Sequence, residues 1–257
     1  MKQRPNSIQV IDRLVQLLDA LARDDGPVSL KILSAETGLH PSTAFRILAC
    51  AHQHGLVERD GSGRYSLGAK LLQLGGRVTA SLDLTREARP IMEWLRDQVG
   101  ETVNLAVREG DEVVYVERVT SRRMIRVEQV VGSRAPLHVT AVGKMMLADE
   151  GDPALVAYAR RTGLPRYTSN TLTSVAALRR EVDEGLRQGY ALDNEEAELG
   201  VGCIGVPVRD GAGRVIGGLS VSAPIERRRE EWVPLVMEAG RRISARMGYR
   251  APEQAKP

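Results

Sequence analysis

The chain has 257 residues, of which 42% are hydrophobic and 27% are charged, and this composition is that of a folded globular protein. Its 36 basic and 33 acidic residues nearly balance, so the overall charge does not by itself indicate a nucleic-acid binder. Only two cysteines are present, which excludes a disulfide scaffold and a cysteine-based zinc finger. No apolar run approaches the roughly 18 residues of a membrane span. We therefore expect a cytoplasmic protein that uses no membrane, no cofactor and no metal.

Two parts of the chain have different hydrophobic patterns. Residues 8–57 have helical spacing, β-like runs appear after residue 102, and the pair Gly75-Gly76 begins the best candidate boundary. We predict a first domain at 1–75, a helical linker at 76–84, a second domain at 85–250 and a flexible tail at 251–257.

The first part predicts three helices followed by a hairpin. The predicted elements are a helix at 8–23 capped by Ser7, a short helix from Ser29 to Thr37, a helix from Pro41 to about His54, and two extended runs around the turn at 60–63. The first helix carries an apolar stripe that begins at Val10 and Ile11. This order of elements is typical of a winged helix-turn-helix.

The third helix has two different faces. Its apolar residues Ala44, Ile47, Leu48 and Ala51 share one face and are expected to pack inward. The other face carries hydroxyl, amide and guanidinium groups that fit a DNA major groove, although an ordinary solvated face has the same composition. The candidate DNA-binding residues, with two arginines of the hairpin, are His40, Ser42, Thr43, Phe45, Arg46, Gln53, Arg59 and Arg64.

The charge of this first part is small. Residues 1–75 contain nine basic and seven acidic residues, a local charge of +2. DNA affinity would therefore depend on a few well-placed phosphate contacts and on the avidity of a dimer.

The second part mixes strands and helices. Strands are predicted at 102–108, 112–119, 125–131, 189–192, 202–208 and 214–221, and helices at 85–98, 142–149, 153–161, 175–188 and 225–247. Hairpins at both ends of this series predict an α+β domain with an antiparallel sheet.

Several short motifs are interpreted as structural. The run GVGCIG at 200–205 has the spacing of a dinucleotide site, but a strand follows it where that site requires a helix. Gly143-Lys144 lacks the other residues of a phosphate loop, and His138 with Cys203 lacks the paired spacing of metal ligands. The arginines at 227–229, followed by two glutamates, are expected to form a salt-linked helix start.

A set of small polar groups in the second part suggests a pocket. Ser220 and Ser222 alternate along one strand and so share a face, and Thr140 precedes a helix whose first amides are free to bind an oxyanion. Asp193 follows the extended run at 190–192, and Cys203 lies in a glycine-rich strand entry, so both are candidates for the same pocket.

These residues occur in motifs that resemble a known family. The motifs are LHPSTAFRIL at 39–48, GLV at 55–57, RYSLG at 64–68, GETVNL at 100–105, PLHVTAVGK at 136–144, GY at 189–190 and GRVIGGLSVSAP at 213–224. In this order, and over nearly the whole chain, the sequence resembles the isocitrate lyase regulator (IclR) family of bacterial transcription factors. The resemblance implies an N-terminal winged helix-turn-helix, a connecting helix and a C-terminal effector-binding domain of GAF-like α+β fold.

The resemblance also implies partners and an effector site. Members bind DNA as dimers or dimers of dimers, so we expect palindromic or pseudo-palindromic double-stranded operator DNA and a homodimer. The implied pocket residues for a small organic acid are the backbone amides of Ala141 and Val142, the side chains of Asp193 and Cys203, and the hydroxyls of Ser220 and Ser222. Val142 is bulkier than the small residue common at its position.

Three classes of function are compatible with parts of this pattern. An effector-responsive transcription regulator uses both the helix face and the pocket. An enzyme would need Asp193 or Cys203 in catalysis, but the sequence contains no recognisable pair of nucleophile and base. A structural nucleoid protein would not need the pocket. We therefore predict a regulator and no enzymatic activity.

Overall fold

The computed structural model describes residues 8–24, 26–81 and 83–251, without the side chains of 76–81. Its contacts divide the chain into two compact units, Met1–Leu82 and Asp83–Pro257. The expected cap at Ser7 and most of the expected tail lie outside the described residues.

The first unit is a winged helix-turn-helix, as predicted. Its elements are α1 (Gln9–Leu21), α2 (Leu30–Thr37), α3 (Pro41–Gln53), β1 (Val57–Arg59), β2 (Tyr65–Leu67) and α4 (Ala69–Ser81), with β1 and β2 paired as an antiparallel hairpin. Ser29 caps α2 by accepting a hydrogen bond from the Ile32 amide, and Gly38 provides the left-handed turn before α3. The core contains Leu17, Leu33, Leu48, Val57 and Tyr65, all at most 1% exposed.

Helix α1 buries less of its apolar stripe than the sequence predicts. Leu17 and Leu21 enter the core, whereas Val10 and Ile11 remain more than half exposed. The stripe is longer than the core of this small unit, and Val10 and Ile11 lie outside that core.

The second unit is an α+β domain with an antiparallel sheet, also as predicted. Its helices are α5 (Leu84–Val99), α6 (Ala141–Glu150), α7 (Asp152–Thr162), α8 (Val175–Gln188) and α9 (Val233–Arg246). Its strands are β3 (Thr102–Glu109), β4 (Glu112–Val119), β5 (Arg134–Pro136), β6 (Ala191–Asn194), β7 (Val201–Arg209) and β8 (Val215–Pro224). Within residues 83–251 the six strands lie in the order β5-β4-β3-β8-β7-β6.

The two faces of this sheet have different cores. Helices α5 and α9 pack on one face, where Leu95, Val103, Leu105, Val221 and Ile243 are buried together. Helices α6, α7 and α8 contribute to a second core that includes Ala106, Tyr115 and Val142. Strand residues alternate between the faces, so the even-numbered residues of β3 at 102–106 and of β8 at 218–222 lie on the side of α6.

Two predicted elements are wrong. Residues 125–131 form no strand but part of an irregular segment between β4 and β5, whose Val127 carbonyl accepts a hydrogen bond from Thr102 Oγ1 at 2.9 Å. The closing helix begins at Val233 rather than at residue 225, because short 3-10 turns occupy Ile225–Arg227 and Glu230–Trp232. Arg227 pairs with the buried Glu101 at 2.8 Å instead of forming a salt-linked helix start.

Two glycines allow the first turn of α6 to approach the sheet. A Cβ at Gly205 would lie 2.8 Å from the Val142 nitrogen, and a Cβ at Gly218 would lie 2.6 Å from Val142 Cβ. Since carbon atoms do not approach this closely, both strand positions require glycine. The bulk of Val142 is thus accommodated by the missing side chain of Gly218.

Candidate functional sites

Most of the residues predicted to contact DNA are exposed on α3 and on the hairpin, and Thr43 is half-buried. Ser42, Phe45, Arg46 and Gln53 are all exposed, while Ala44, Leu48 and Ala51 are buried as predicted. His40 precedes α3, and its Nδ1 lies 2.8 Å from Ser42 Oγ and accepts a hydrogen bond from the Ser42 amide. The exposed face of α3 therefore begins at a capped helix start and carries polar groups beside Phe45.

The hairpin is tied to α3 through Arg59. The guanidinium group of Arg59 lies 5.4 Å from the ring centre of Tyr65 and 6.0 Å from that of Phe45. Phe45 is on α3 and Tyr65 is on β2, so this stack fixes the hairpin against the exposed helix.

Arg64 is held in place by the turn of the hairpin. Its Nε donates to Asp60 Oδ2 at 3.1 Å and to Ser62 Oγ at 3.0 Å. The Ser62 hydroxyl and the Arg64 amide hold the pKa of Asp60 at about 2, so this carboxylate is charged at neutral pH. Two arginines and several hydroxyls on one unit suit contacts to phosphate oxygens and base edges.

A cavity of about 430 Å³ lies between the start of α6, the sheet and two loops. Five of the six predicted effector residues line it, namely Ala141, Val142, Asp193, Cys203 and Ser220. The sixth, Ser222, is 1% exposed, and its Oγ lies 3.2 Å from the Cys203 sulfur. The structure therefore brings all six residues together.

Strand pairing explains this convergence. Asp193, Cys203 and Ser222 are direct partners across β6, β7 and β8, and Ser220 faces Asn104 across β8 and β3. These positions lie on the face of the sheet covered by α6. The result is a row of polar side chains beneath a helix start.

The start of α6 supplies hydrogen-bond donors over this row. Thr140 caps the helix by accepting a hydrogen bond from the Gly143 amide at 3.1 Å. The amides of Ala141 and Val142 precede the first intrahelical hydrogen bond, and the helix dipole makes this end attractive to an anion.

Burial changes the acid–base properties of two pocket residues. Desolvation raises the pKa of Asp193 to about 6, against the effect of a 2.8 Å hydrogen bond from the Glu196 amide to its Oδ1. Burial also raises the pKa of the Cys203 thiol, with a further contribution from Asp193. Cys203 is thus a neutral thiol at physiological pH and a poor nucleophile.

One wall of the cavity is the loop 195–200, which is anchored by a buried ion pair. Lys144 Nζ lies 2.7 and 2.9 Å from the two carboxylate oxygens of Glu196, and these side chains are 0% and 3% exposed. Burial raises the pKa of Glu196, and the positive charge of Lys144 acts in the opposite direction. Glu195, at the base of the same loop, has a φ of +61° and accepts a hydrogen bond from the Gly200 amide.

The opposite wall includes residues 126–129. Besides the Thr102 contact with Val127, Asn104 Nδ2 donates to Gln129 Oε1 at 2.9 Å, and an Arg118 guanidinium nitrogen donates to the Gln129 carbonyl. The sequence prediction did not include Asn104, Gln129, Lys144 or Glu196. The sequence shows that Thr102 and Asn104 are two residues apart on a predicted strand, but it does not show that Asn104 lies opposite Ser220.

The motifs interpreted as structural have structural surroundings. The glycine-rich run at 200–205 leads into β7 and not into a helix. His138 is buried, with Nδ1 2.8 Å from the Tyr158 hydroxyl and Nε2 3.0 Å from the Pro165 carbonyl. Across the described ranges, no three histidine, cysteine or carboxylate side chains converge as a metal site requires. None of the helices described has both the length and the apolar character needed to cross a membrane.

Comparison with known proteins agrees with this architecture. Residues 76–245 match the domain family "Bacterial transcriptional regulator IclR C-terminal", and residues 10–61 match "IclR helix-turn-helix domain". The chain belongs to the IclR family. It is therefore a bacterial DNA-binding transcriptional regulator by family, and the other members matched are regulators as well.

Individual IclR relatives resemble the chain over almost its whole length. The regulator KdgR of Escherichia coli is 35% identical over 254 residues, covering 97% of this chain and 96% of KdgR. An IclR-type regulator from a Silicibacter species has a TM-score of 0.85 at 25% identity, covering 96% of this chain and 98% of that one. An IclR homologue from Microbacterium hydrocarbonoxydans, solved with 4-hydroxybenzoate, has a TM-score of 0.61 at 30% identity, covering 93% and 98%.

Proposed function

We propose that this IclR-family protein is a cytoplasmic, effector-responsive regulator that binds operator DNA through residues 41–54 and a small organic acid in its C-terminal domain. The observation that carries the proposal is the buried polar row of Asp193, Cys203 and Ser222 beneath the start of α6. A structural DNA-binding protein has no use for such a row, because buried polar groups lower stability unless they are paired.

The DNA-binding half of the proposal is supported by the exposed face of α3. Arg46 projects from this face and suits a bidentate contact to guanine or a phosphate, and Ser42 and Thr43 offer hydroxyls near the helix start. Arg59 and Arg64 on the hairpin suit contacts to the phosphate backbone. His40, Phe45 and Gln53 complete the proposed interface.

The effector half is supported by the helix-start amides and by one relative. Two amides and the hydroxyl of Ser220 present donors to a carboxylate, and the cavity volume of about 430 Å³ suits a small molecule. The related protein from Microbacterium hydrocarbonoxydans was solved with 4-hydroxybenzoate, which is a small organic acid. We expect Asp193 to accept a hydrogen bond from the ligand or to orient Cys203.

A homodimer, or a dimer of such dimers, is part of the proposal. Ile8, Ile11 and Val15 are 61%, 53% and 46% exposed, and their spacing places them along one side of α1. An apolar face of this kind is typical of a subunit contact. Two copies would present two α3 helices to a palindromic or pseudo-palindromic operator, which raises affinity despite the small local charge.

The proposed mechanism is a shift in population between two arrangements of the dimer. An effector changes DNA affinity only to the extent that it binds one arrangement more tightly, and a coupling of about 1–3 kcal/mol is typical. A catalytic role is disfavoured because the raised pKa of Cys203 keeps its thiol neutral.

The test is an electrophoretic mobility shift with DNA from upstream of the protein's own gene. We expect specific binding that survives competitor DNA and that changes when small organic acids are added. Binding to all sequences alike would indicate a nucleoid protein, and specific binding that no acid alters would contradict the effector half.

A further inference from the structure

A groove lies between the first two turns of α1 and one side of α3, and its volume is about 350 Å³. Its lining residues are Val10 and Arg13 of α1 and Thr43, Arg46, Ile47 and Cys50 of α3. They provide two guanidinium groups, a hydroxyl, a thiol and two apolar side chains, and no carboxylate is among the described residues that line the groove. Arg13 has no role in the interface proposed above.

The two arginines of this groove lack acidic partners. Arg64 pairs with Asp60 on the hairpin, whereas neither Arg13 nor Arg46 forms an ion pair within the part of the chain that the structure describes. Arg13 is half-buried, and two cations in one groove repel each other. An anion in the groove would therefore be bound favourably.

The hairpin contacts one side of α3. The Arg59 guanidinium group lies 6.0 Å from the ring centre of Phe45, and His52 Nδ1 lies 3.0 Å from the Val57 carbonyl oxygen. Phe45 and His52 are seven residues apart, so they form one row along the helix.

The groove follows the opposite side of α3. Thr43 and Cys50 line it and are also seven residues apart, and each precedes its counterpart in the hairpin row by two positions. In a helix of 3.6 residues per turn, a shift of two positions places the two rows about 160° apart. The exposed residues Arg46 and Gln53 lie between the rows, and Arg46 also lines the groove.

A helix in a DNA major groove has a phosphate backbone on each side. The major groove is about 12 Å wide, and a helix with its side chains is about 10–12 Å across. When the exposed row of α3 faces the bases, the hairpin faces one backbone and the groove beside α1 faces the other. Arg13 then suits a phosphate oxygen, and Val10 and Ile47 suit the carbon atoms of the adjoining deoxyribose.

We propose that the groove between α1 and α3 is a DNA-backbone site, in which Arg13 binds a phosphate of the strand opposite the one that the hairpin contacts. The inference rests on the proposed placement of α3 in the major groove. It goes further in assigning a role to α1, so that each half-site is held from both sides of the recognition helix.

The first test measures the affinity of the full-length protein for upstream DNA and for unrelated DNA at several salt concentrations, by fluorescence anisotropy. Arg13→Ala should weaken binding to both DNAs by the same factor. It should also lower the slope of log affinity against log salt by about 1 per half-site, or about 2 for a dimer. Arg13→Lys keeps the positive charge and should retain the wild-type slope. Arg23 is exposed beyond the end of α1, and Arg23→Ala is the matched control.

Two results of this test would overturn the inference. One is an equal salt slope in Arg13→Ala and Arg23→Ala, and the other is a change in base preference at one operator position in Arg13→Ala. If Arg46→Ala still weakens binding, the placement of α3 stands and only the groove site fails. If Arg46→Ala also has no effect, the placement of α3 and the groove site fail together. Circular dichroism shows that each variant is folded.

A second measurement needs no substitution, because Cys50 is a reporter inside the groove. Cys50 is exposed, whereas Cys203 is buried and burial raises the pKa of its thiol, so iodoacetamide should modify Cys50 first. Peptide mass spectrometry follows this modification in the wild-type protein. We expect upstream DNA to slow it by about 10-fold or more, because a bound backbone blocks access to the thiol.

The same labelling experiment identifies a different occupant of the groove. If Cys50 is protected without DNA and becomes reactive when the protein is diluted, a second copy of the chain covers the groove and the inference is overturned. Labelling of Cys50 at the same rate with and without bound DNA would overturn it as well.

Discussion

Lys144 and Glu196 form a buried ion pair that joins α6 to the loop 195–200, with nitrogen–oxygen distances of 2.7 and 2.9 Å. The start of the same helix lines one side of the cavity, and the same loop forms one of its walls. The pair therefore fixes the distance between two sides of the proposed effector site.

Removing one partner of this pair should be costly. We expect Lys144→Met to lower the free energy of unfolding by about 3–5 kcal/mol, because the Glu196 carboxylate stays buried without its partner. The double variant Lys144→Met, Glu196→Met should recover much of this loss. Glu181 lies 3.8 Å from Lys144 but is 43% exposed, so Glu181→Gln is the control and should cost less than about 1 kcal/mol. Urea unfolding measures all three, and equal losses in Lys144→Met and Glu181→Gln would contradict this account.

Asp193 should make stability depend on pH. Its folded-state pKa of about 6 lies above the ordinary value of 3.8, so the folded state binds more protons between these values. Its contribution to the free energy of unfolding therefore falls as pH rises from about 4 to 6, by about 3 kcal/mol in total. Asp193→Asn keeps an acceptor for the Glu196 amide and removes the buried charge. We expect this variant to be more stable than the wild type at pH 7, with the difference disappearing near pH 4. A variant that is less stable at pH 7 would show that the carboxylate stabilises the fold.

The sequence predicts the helices and strands of this protein better than the side-chain contacts between residues that are distant in the chain. Residues 175–188 are helical as predicted, because their apolar spacing and the caps at Ser174 and Gly189 are local signals. The segment 125–131 is predicted as a strand because apolar residues recur along it, but it forms none. Its conformation depends on Thr102, Asn104 and Arg118, which are distant in sequence.

The same limit applies to the candidate site. Ser220 and Ser222 could be placed on one face from their spacing alone. Asp193 and Cys203 were candidates from the sequence as well, and the family resemblance implied that all four share one pocket. Asn104 could not be found in this way, because its position opposite Ser220 depends on the register between β3 and β8. Glu196 was missed because nothing in the sequence pairs it with Lys144, 52 residues away.

Arg46 should be needed for sequence-specific DNA binding. Arg46→Ala removes a guanidinium from the exposed face of α3 and should cost about 1–3 kcal/mol per half-site, which a dimer experiences twice. Arg23 is exposed beyond the end of α1, and Arg23→Ala is the matched control. Fluorescence anisotropy with labelled upstream DNA compares them. A folded Arg46→Ala variant with unchanged affinity would remove this residue from the interface.

Arg64 should contribute affinity without specificity. The hydrogen bonds to Asp60 and Ser62 hold its side chain at the hairpin turn, where it suits a phosphate contact. Arg64→Ala should weaken binding to all DNA sequences alike and reduce the dependence of affinity on salt. A change in base preference at one operator position would instead show that the hairpin reads bases.

The central claim is that one chain couples an acid site to a DNA site, and thermodynamic reciprocity tests it most directly. The measurement is the DNA dissociation constant with and without a saturating acid, together with the acid dissociation constant with and without DNA, for the wild type and for Ser220→Ala, Ser222→Ala. Ser244→Ala controls for loss of a buried serine elsewhere in the domain. We predict that the acid changes the DNA dissociation constant by the same factor as DNA changes the acid dissociation constant. This factor should be about 5-fold to 150-fold in the wild type and in Ser244→Ala. The double variant should bind DNA with the wild-type dissociation constant, and adding acid should leave that constant unchanged. A double variant whose DNA affinity still changes at the acid concentration that acts on the wild type would contradict the account.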